Sequence, residues 1–164
     1  MKKIKKGIAM CLTAVMAFSM MSVGVFAQNI PVDENTGVEF PNKAVSSVNF
    51  IANDGRTRSD VEVTGEVWIY WNDWNDTDNL PSAYGYSIAS QSIYKVGAHL
   101  ACNSNGTSVE NTGWKYMYNT SAANSGTLQA THVQCVFDAT GRFQYASNTE
   151  IAEGTHQERF PKSE

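Results

Sequence analysis

The sequence predicts an all-β domain: an antiparallel β-sandwich or small barrel of about five to seven strands. Three observations carry that reading. First, several segments alternate apolar and polar residues with period two, as half-buried strands do. Second, β-branched and aromatic residues are frequent, while Leu beyond residue 27 is limited to Leu80, Leu100 and Leu128. Helical domains rely instead on Leu, Ala, Glu and Lys. Third, clusters of Asn, Asp, Ser and Gly fall between the alternating stretches and mark turns.

The elements follow in order. Residues 28–60 form an expected extended N-terminal arm, with Pro31, Pro41 and one short strand at Val45–Ile51. Asn53-Asp54-Gly55 is a turn signal. Val61–Trp71 is a strand with Val61, Val63, Gly65, Val67, Ile69 and Trp71 on a core face. Its other face carries Glu62, Thr64, Glu66, Trp68 and Tyr70. Asn72–Pro81 is an acidic loop. Tyr84–Cys102 reads as one long strand or two collinear ones. Tyr84, Tyr86, Ile88, Tyr94, Val96, Ala98, Leu100 and Cys102 are in phase, with a bend or bulge expected at Ser90 and Ser92. Asn103-Ser-Asn105-Gly106 is a hairpin signal. Thr107–Tyr118 returns, with Trp114, Tyr116 and Tyr118 in phase. Turns are expected at Ser121–Gly126 and Asp138–Gly141, with a strand at Thr127–Phe137 between them. A last strand is expected at Arg142–Ile151. The β domain is thus read as 61–152, and 153–164 as a polar C-terminal tail. No internal repeat suggests a solenoid or propeller.

Residues 1–27 have the make-up of a secretory signal peptide. Lys2, Lys3, Lys5 and Lys6 are followed by an apolar run from Gly7 to Phe26, and Val25-Phe26-Ala27 offers a cleavage site. An uncleaved anchor is the weaker reading because small residues precede Gln28 and a polar chain follows it, and a lipoprotein is weaker still because Cys11 follows Met10 and lies too near the start. Secretion is therefore the expected localisation, with no membrane association after cleavage. The segment holds four of the twelve basic residues and none of the sixteen acidic ones, which leaves the remainder at −8. A chain that acidic does not seek nucleic acid.

Cys102 and Cys135 acquire meaning from that compartment. The motifs His99-Leu-Ala-Cys102 and His132-Val-Gln-Cys135 could suggest zinc. Residues three apart on a strand, however, point to opposite faces. Both thiols share parity with core residues while both histidines face out. A disulfide between Cys102 and Cys135 is expected, and no metal or other cofactor.

The densest chemical feature is Trp68-Ile-Tyr70-Trp71-Asn-Asp73-Trp74-Asn-Asp76-Thr-Asp78. Trp68, Tyr70, Trp74, Asp73 and Asp76 are the candidate ligand-binding residues. Flat rings pack on the apolar face of a pyranose, and carboxylates and amides meet its hydroxyls. Exposed aromatics also anchor protein partners. The opposing reading is that a second sheet or the 28–60 arm covers Trp68 and Tyr70. The three aspartates lack the spacing of a calcium loop. Gly85-Tyr-Ser87-Ile-Ala89 matches a nucleophile elbow and Ser92-Ile-Tyr-Lys95 matches Ser-x-x-Lys, but both lie in strand sequence where those motifs cannot work. Glu62 and Glu66 share a face, yet both are outward and solvated. No catalytic residues are assigned.

In general make-up the chain resembles small secreted β-domains from Gram-positive bacteria, with no motif of a characterised activity. The expectation is a non-enzymatic binding module for cell-wall glycan or a protein receptor. A bacteriocin-like or toxin-like effector is the alternative, and a small hydrolase comes third.

Overall fold

The computed structural model describes residues 39–53, 60–73, 80–106 and 108–161. The signal segment, most of the N-terminal arm, the Asp54-Gly55 turn, and Trp74, Asp76 and Asp78 lie outside the described residues.

Among the described residues, seven antiparallel strands form one sheet that nearly closes into a barrel. They are β1 (Asn42–Ala52), β2 (Val61–Trp71), β3 (Ser82–Ser104), β4 (Ser108–Asn111), β5 (Lys115–Gln129), β6 (Cys135–Gln144) and β7 (Ile151–Phe160). The described residues contain no helix.

β3 is the spine. β2 lies along its first half, pairing Trp71 with Ala83 through to Gly65 with Ala89. β6 lies along its second half, from Lys95–Gln144 to Ser104–Cys135. β5 follows the opposite edge of β3 from Ser82 to Ala98, and β4 completes that edge from Ala101 to Ser104. β1 pairs β2 and β7 pairs β6. The barrel closes where β1 meets β7. A side-chain bond bridges that seam, Ser46 Oγ to His156 Nδ1 at 2.6 Å. His156 Nε2 in turn meets Glu158 Oε1 at 2.9 Å.

The expected Val61–Trp71 strand matches β2 in both bounds. Val63, Val67 and Ile69 are buried as its parity requires. The hairpin after β3 forms where expected: Asn105 and Gly106 both take positive φ, a conformation those residue types tolerate at low cost.

Other expectations are corrected. Residues 42–52 are a full strand rather than a short piece of a loose arm. Ser121–Gly126 does not turn but continues β5, with Gly126 at positive φ beside a register shift. Val133 lies in a bend before β6, not on its core face. Asp138–Gly141 lies within β6. Gly141 is there for space, since a Cβ would stand 2.7 Å from Val67 Cγ2. The expected polar tail from residue 153 is strand β7. Its inward face carries Ala152, Gly154, His156, Glu158 and Phe160, so the apolar signal of a strand is nearly missing.

The bulge in β3 decides which residues face out. From Ile88 to Ile93 β3 advances five residues while β5 advances two. An odd surplus of three reverses the strand's inward parity. Before it, Ala83, Ser87 and Ala89 face the core; Ile93 is still buried just beyond it, and from there on Val96, Ala98, Leu100 and Cys102 face the core. The sequence reading anticipated the bulge but kept Tyr84, Tyr86 and Ile88 in phase with Val96. They belong to the outer face instead.

The core is tight where small residues meet a large one. Phe143 is fully buried, and its ring lies across Gly65, where a Cβ would approach within 2.6 Å. Burying such a ring contributes roughly 1.5–3 kcal/mol.

Candidate functional site

The reversed parity of β3 assembles an aromatic patch on the outer face of β1, β2 and β3. Trp68 is opposite Tyr86, and Tyr70 opposite Tyr84. Trp68 and Tyr70 stack with centroids 6.0 Å apart, and Tyr84 and Tyr86 stack at 6.4 Å. Tyr70 meets Tyr84 edge-on at 6.4 Å, and Phe40 packs against Tyr84 at 6.2 Å. Lys43 Nζ stands 5.2 Å above the Trp68 ring. Trp68 donates its indole N–H to Glu66 Oε2 at 3.0 Å.

The patch has a covered end and an open end. Tyr70 is only 4% exposed and Phe40 only 1%. Trp68, Tyr84 and Tyr86 are half-buried. Burial, helped by the charges of Tyr86 and Glu66, pushes the Tyr70 phenol up to about 12. Tyr70 therefore serves as a foundation under its neighbours, while Trp68 and Tyr86 present ring surface.

Of the residues expected to bind ligand, Trp68 and Tyr70 are brought together here. Asp73 is exposed at the end of β2, and Trp74 and Asp76 are outside the described residues. Asn72 clamps the mouth of that loop: its Oδ1 accepts from Ser82 N at 2.8 Å, and its Nδ2 donates to Leu80 O at 3.4 Å. Trp71 faces inward and meets Phe160 edge-on at 5.8 Å.

A second ring group stands on the outer face of the other half of β3. His99 stacks on Trp114 at 5.2 Å, and Trp114 on Tyr116 at 5.6 Å with an 8° interplanar angle. The Arg142 guanidinium carbon is 4.0 Å from the Trp114 centroid, and Lys95 Nζ is 5.0 Å from that of Tyr116. Tyr116 lies flat over Gly97, where a Cβ would be 2.6 Å from its Cε1. Sequence reasoning placed Trp114, Tyr116 and Tyr118 in phase, and Lys95, Gly97 and His99 together. It did not join the two sets, because only the β3–β5 register does so.

Cys102 and Cys135 are both buried on the core face, on neighbouring strands. They lie 4.4 Å apart as free thiols. A hydrogen bond from Cys135 lowers Cys102 to about 7 against the opposing effect of burial, and the same bond with burial raises Cys135. Cys135 borders an open cavity of about 500 Å³ at one end of the barrel, lined also by Asn103, Gln134, Arg159 and Phe160. His99 belongs to the ring group, and His132 is exposed in the bend before β6.

Ser87 and the Ser92/Lys95 pair lie in strand, as their sequence context required. Ser87 Oγ is buried in the core without a hydrogen-bond partner, and Ser92 is exposed at the bulge. Among the described residues no group of three or more His, Cys, Asp or Glu is placed to hold a metal ion. Comparison of the chain with protein-family models, characterised proteins and solved structures finds no match.

Proposed function

We propose that this chain is a secreted, non-enzymatic binding module that engages cell-surface glycan through the Trp68/Tyr86 patch. The observation that carries the reading is the row of rings across β2 and β3, open at Trp68 and Tyr86 and rimmed by Lys43 and Glu66. Each ring supplies flat apolar area, and the rim supplies a charged donor and an acceptor. Covered Tyr70 and Phe40 hold the surface rigid, so little ordering entropy is lost on binding.

Secretion rests on residues 1–27, and with it goes a Cys102–Cys135 disulfide. Two neighbouring core thiols, one with a lowered pKa, are suited to oxidation after export. Thiol titration of the denatured secreted protein should find no free thiol without reductant. Two free thiols, or stoichiometric zinc, would remove the disulfide.

The binding reading is tested by Trp68→Ala and Tyr86→Ala, assayed on isolated cell walls. Both should abolish retention with a small change in melting temperature. Trp71→Ala is the control, because its inward ring should cost roughly 3–5 kcal/mol. Wall retention unaffected by either outer variant would end the glycan reading and favour an effector acting on a protein receptor.

A further inference from the structure

We propose that the His99/Trp114/Tyr116 face is a second binding site, distinct from the Trp68 patch, and that it takes a carboxylate-bearing polysaccharide of the uronate type. The argument begins from hydrogen-bonding inventory. Trp68 donates its N–H within the protein, to Glu66. Trp114 has no such partner among the described residues. Nor is its Nε1 buried, since the one buried, unpartnered side-chain polar atom among them is Ser87 Oγ. The Trp114 N–H is therefore open to an acceptor from outside.

The charges around it share the same bias. Lys95 sits over the Tyr116 ring and makes no ion pair among the described residues. Arg142 covers Trp114 and spends Nε on Glu153 at 2.7 Å and Nη1 on the Tyr116 hydroxyl at 3.2 Å. Its Nη2 donors remain. Asp138 is the nearest further carboxylate on the outward face of β6, two residues beyond Thr140, the partner of His99. Tyr118, opposite Lys95, is 55% exposed and extends the ring surface. Excess donors and two cations thus stand on a flat aromatic floor, in a chain whose net charge is −4.

That combination is complementary to a sugar ring bearing a carboxylate. The rings pack on its C–H face, while Lys95, Arg142 Nη2 and Trp114 Nε1 meet its oxygens. A neutral saccharide would leave the Lys95 charge without a partner. A polyphosphate would satisfy charge but not the ring floor. The floor depends on Gly97, because any side chain there would lift Tyr116.

The experiment is titration of purified protein with oligogalacturonate, following tryptophan fluorescence and calorimetry, with cello-oligosaccharide and polyphosphate of equal length as comparators. Oligogalacturonate should bind, and raising salt should weaken it. Lys95→Gln and Trp114→Ala should each weaken it by about tenfold or more, with unchanged circular dichroism. Trp114→Phe keeps a ring but removes the N–H and should fall between. Trp68→Ala should leave this binding intact, so the outcome is independent of the first patch. No binding of oligogalacturonate, equal binding of cello-oligosaccharide, tighter binding of polyphosphate, or binding unchanged in Lys95→Gln would each overturn the proposal.

Discussion

Tyr70 is the residue in which the two readings of the aromatic patch meet. Its parity on β2 points it outward, yet it is buried, and burial raises its pKa to about 12 from the ordinary 10.0. A phenol raised in the folded state favours its neutral form. It therefore contributes stability that is complete below pH 10 and is lost as pH rises toward 12. Ultraviolet titration should show a late-ionising tyrosine, and Tyr70→Phe should remove that step and flatten the alkaline fall in stability. A titration in which Tyr70→Phe changes nothing would mean that the phenol is solvated and that the patch lacks its foundation.

At the scale of the element, β3 governs the outer surface. It is one strand by hydrogen bonding and two by parity, and the change of parity falls between Ala89 and Val96. Ser90 helps hold the bulge, since its Oγ accepts from Thr64 N at 3.1 Å. Deleting Ser90 leaves an even surplus of two, so plain alternation then carries Tyr84 and Tyr86 on the outer face and Val96, Ala98 and Leu100 in the core. The deletion should therefore keep a cooperative urea transition and lose only the contact with Thr64. Ser90→Ala keeps the register and should cost only about 1 kcal/mol. Loss of the cooperative transition in the deletion variant would show that the bulge itself, and not the pairing on either side of it, holds the two faces apart.

At the scale of the whole molecule, the barrel is uneven in stability. β3 is paired on both edges, whereas β1 and β7 are each paired on one and meet through side chains. The bond between Ser46 and His156 fastens a seam that no backbone ladder joins among the described residues. Amides of β1 and β7 should therefore exchange with deuterium before those of β3 and β6. Uniform protection across all four would mean that the seam is as firmly closed as the ladders.

What the sequence alone determined is the local geometry. Period-two alternation marked β2 to the residue, Asn105-Gly106 marked the hairpin after β3, and shared parity put both cysteines in the core. These are properties of neighbours along the chain, and alternation reports them directly. Three things waited for the tertiary structure. β7 is nearly silent in sequence because it buries Gly154, His156 and Glu158 where an ordinary strand buries valines. Gly141 imitates a turn because close packing by Val67, not a reversal of the chain, requires a glycine there. The ring surfaces needed an odd surplus in β3 and a register between β3 and β5. Alternation repeats every two residues, so it can suggest a bulge but cannot count its residues; only the paired strands, held by hydrogen bonds to fixed partners, decide which side of the sheet each ring occupies.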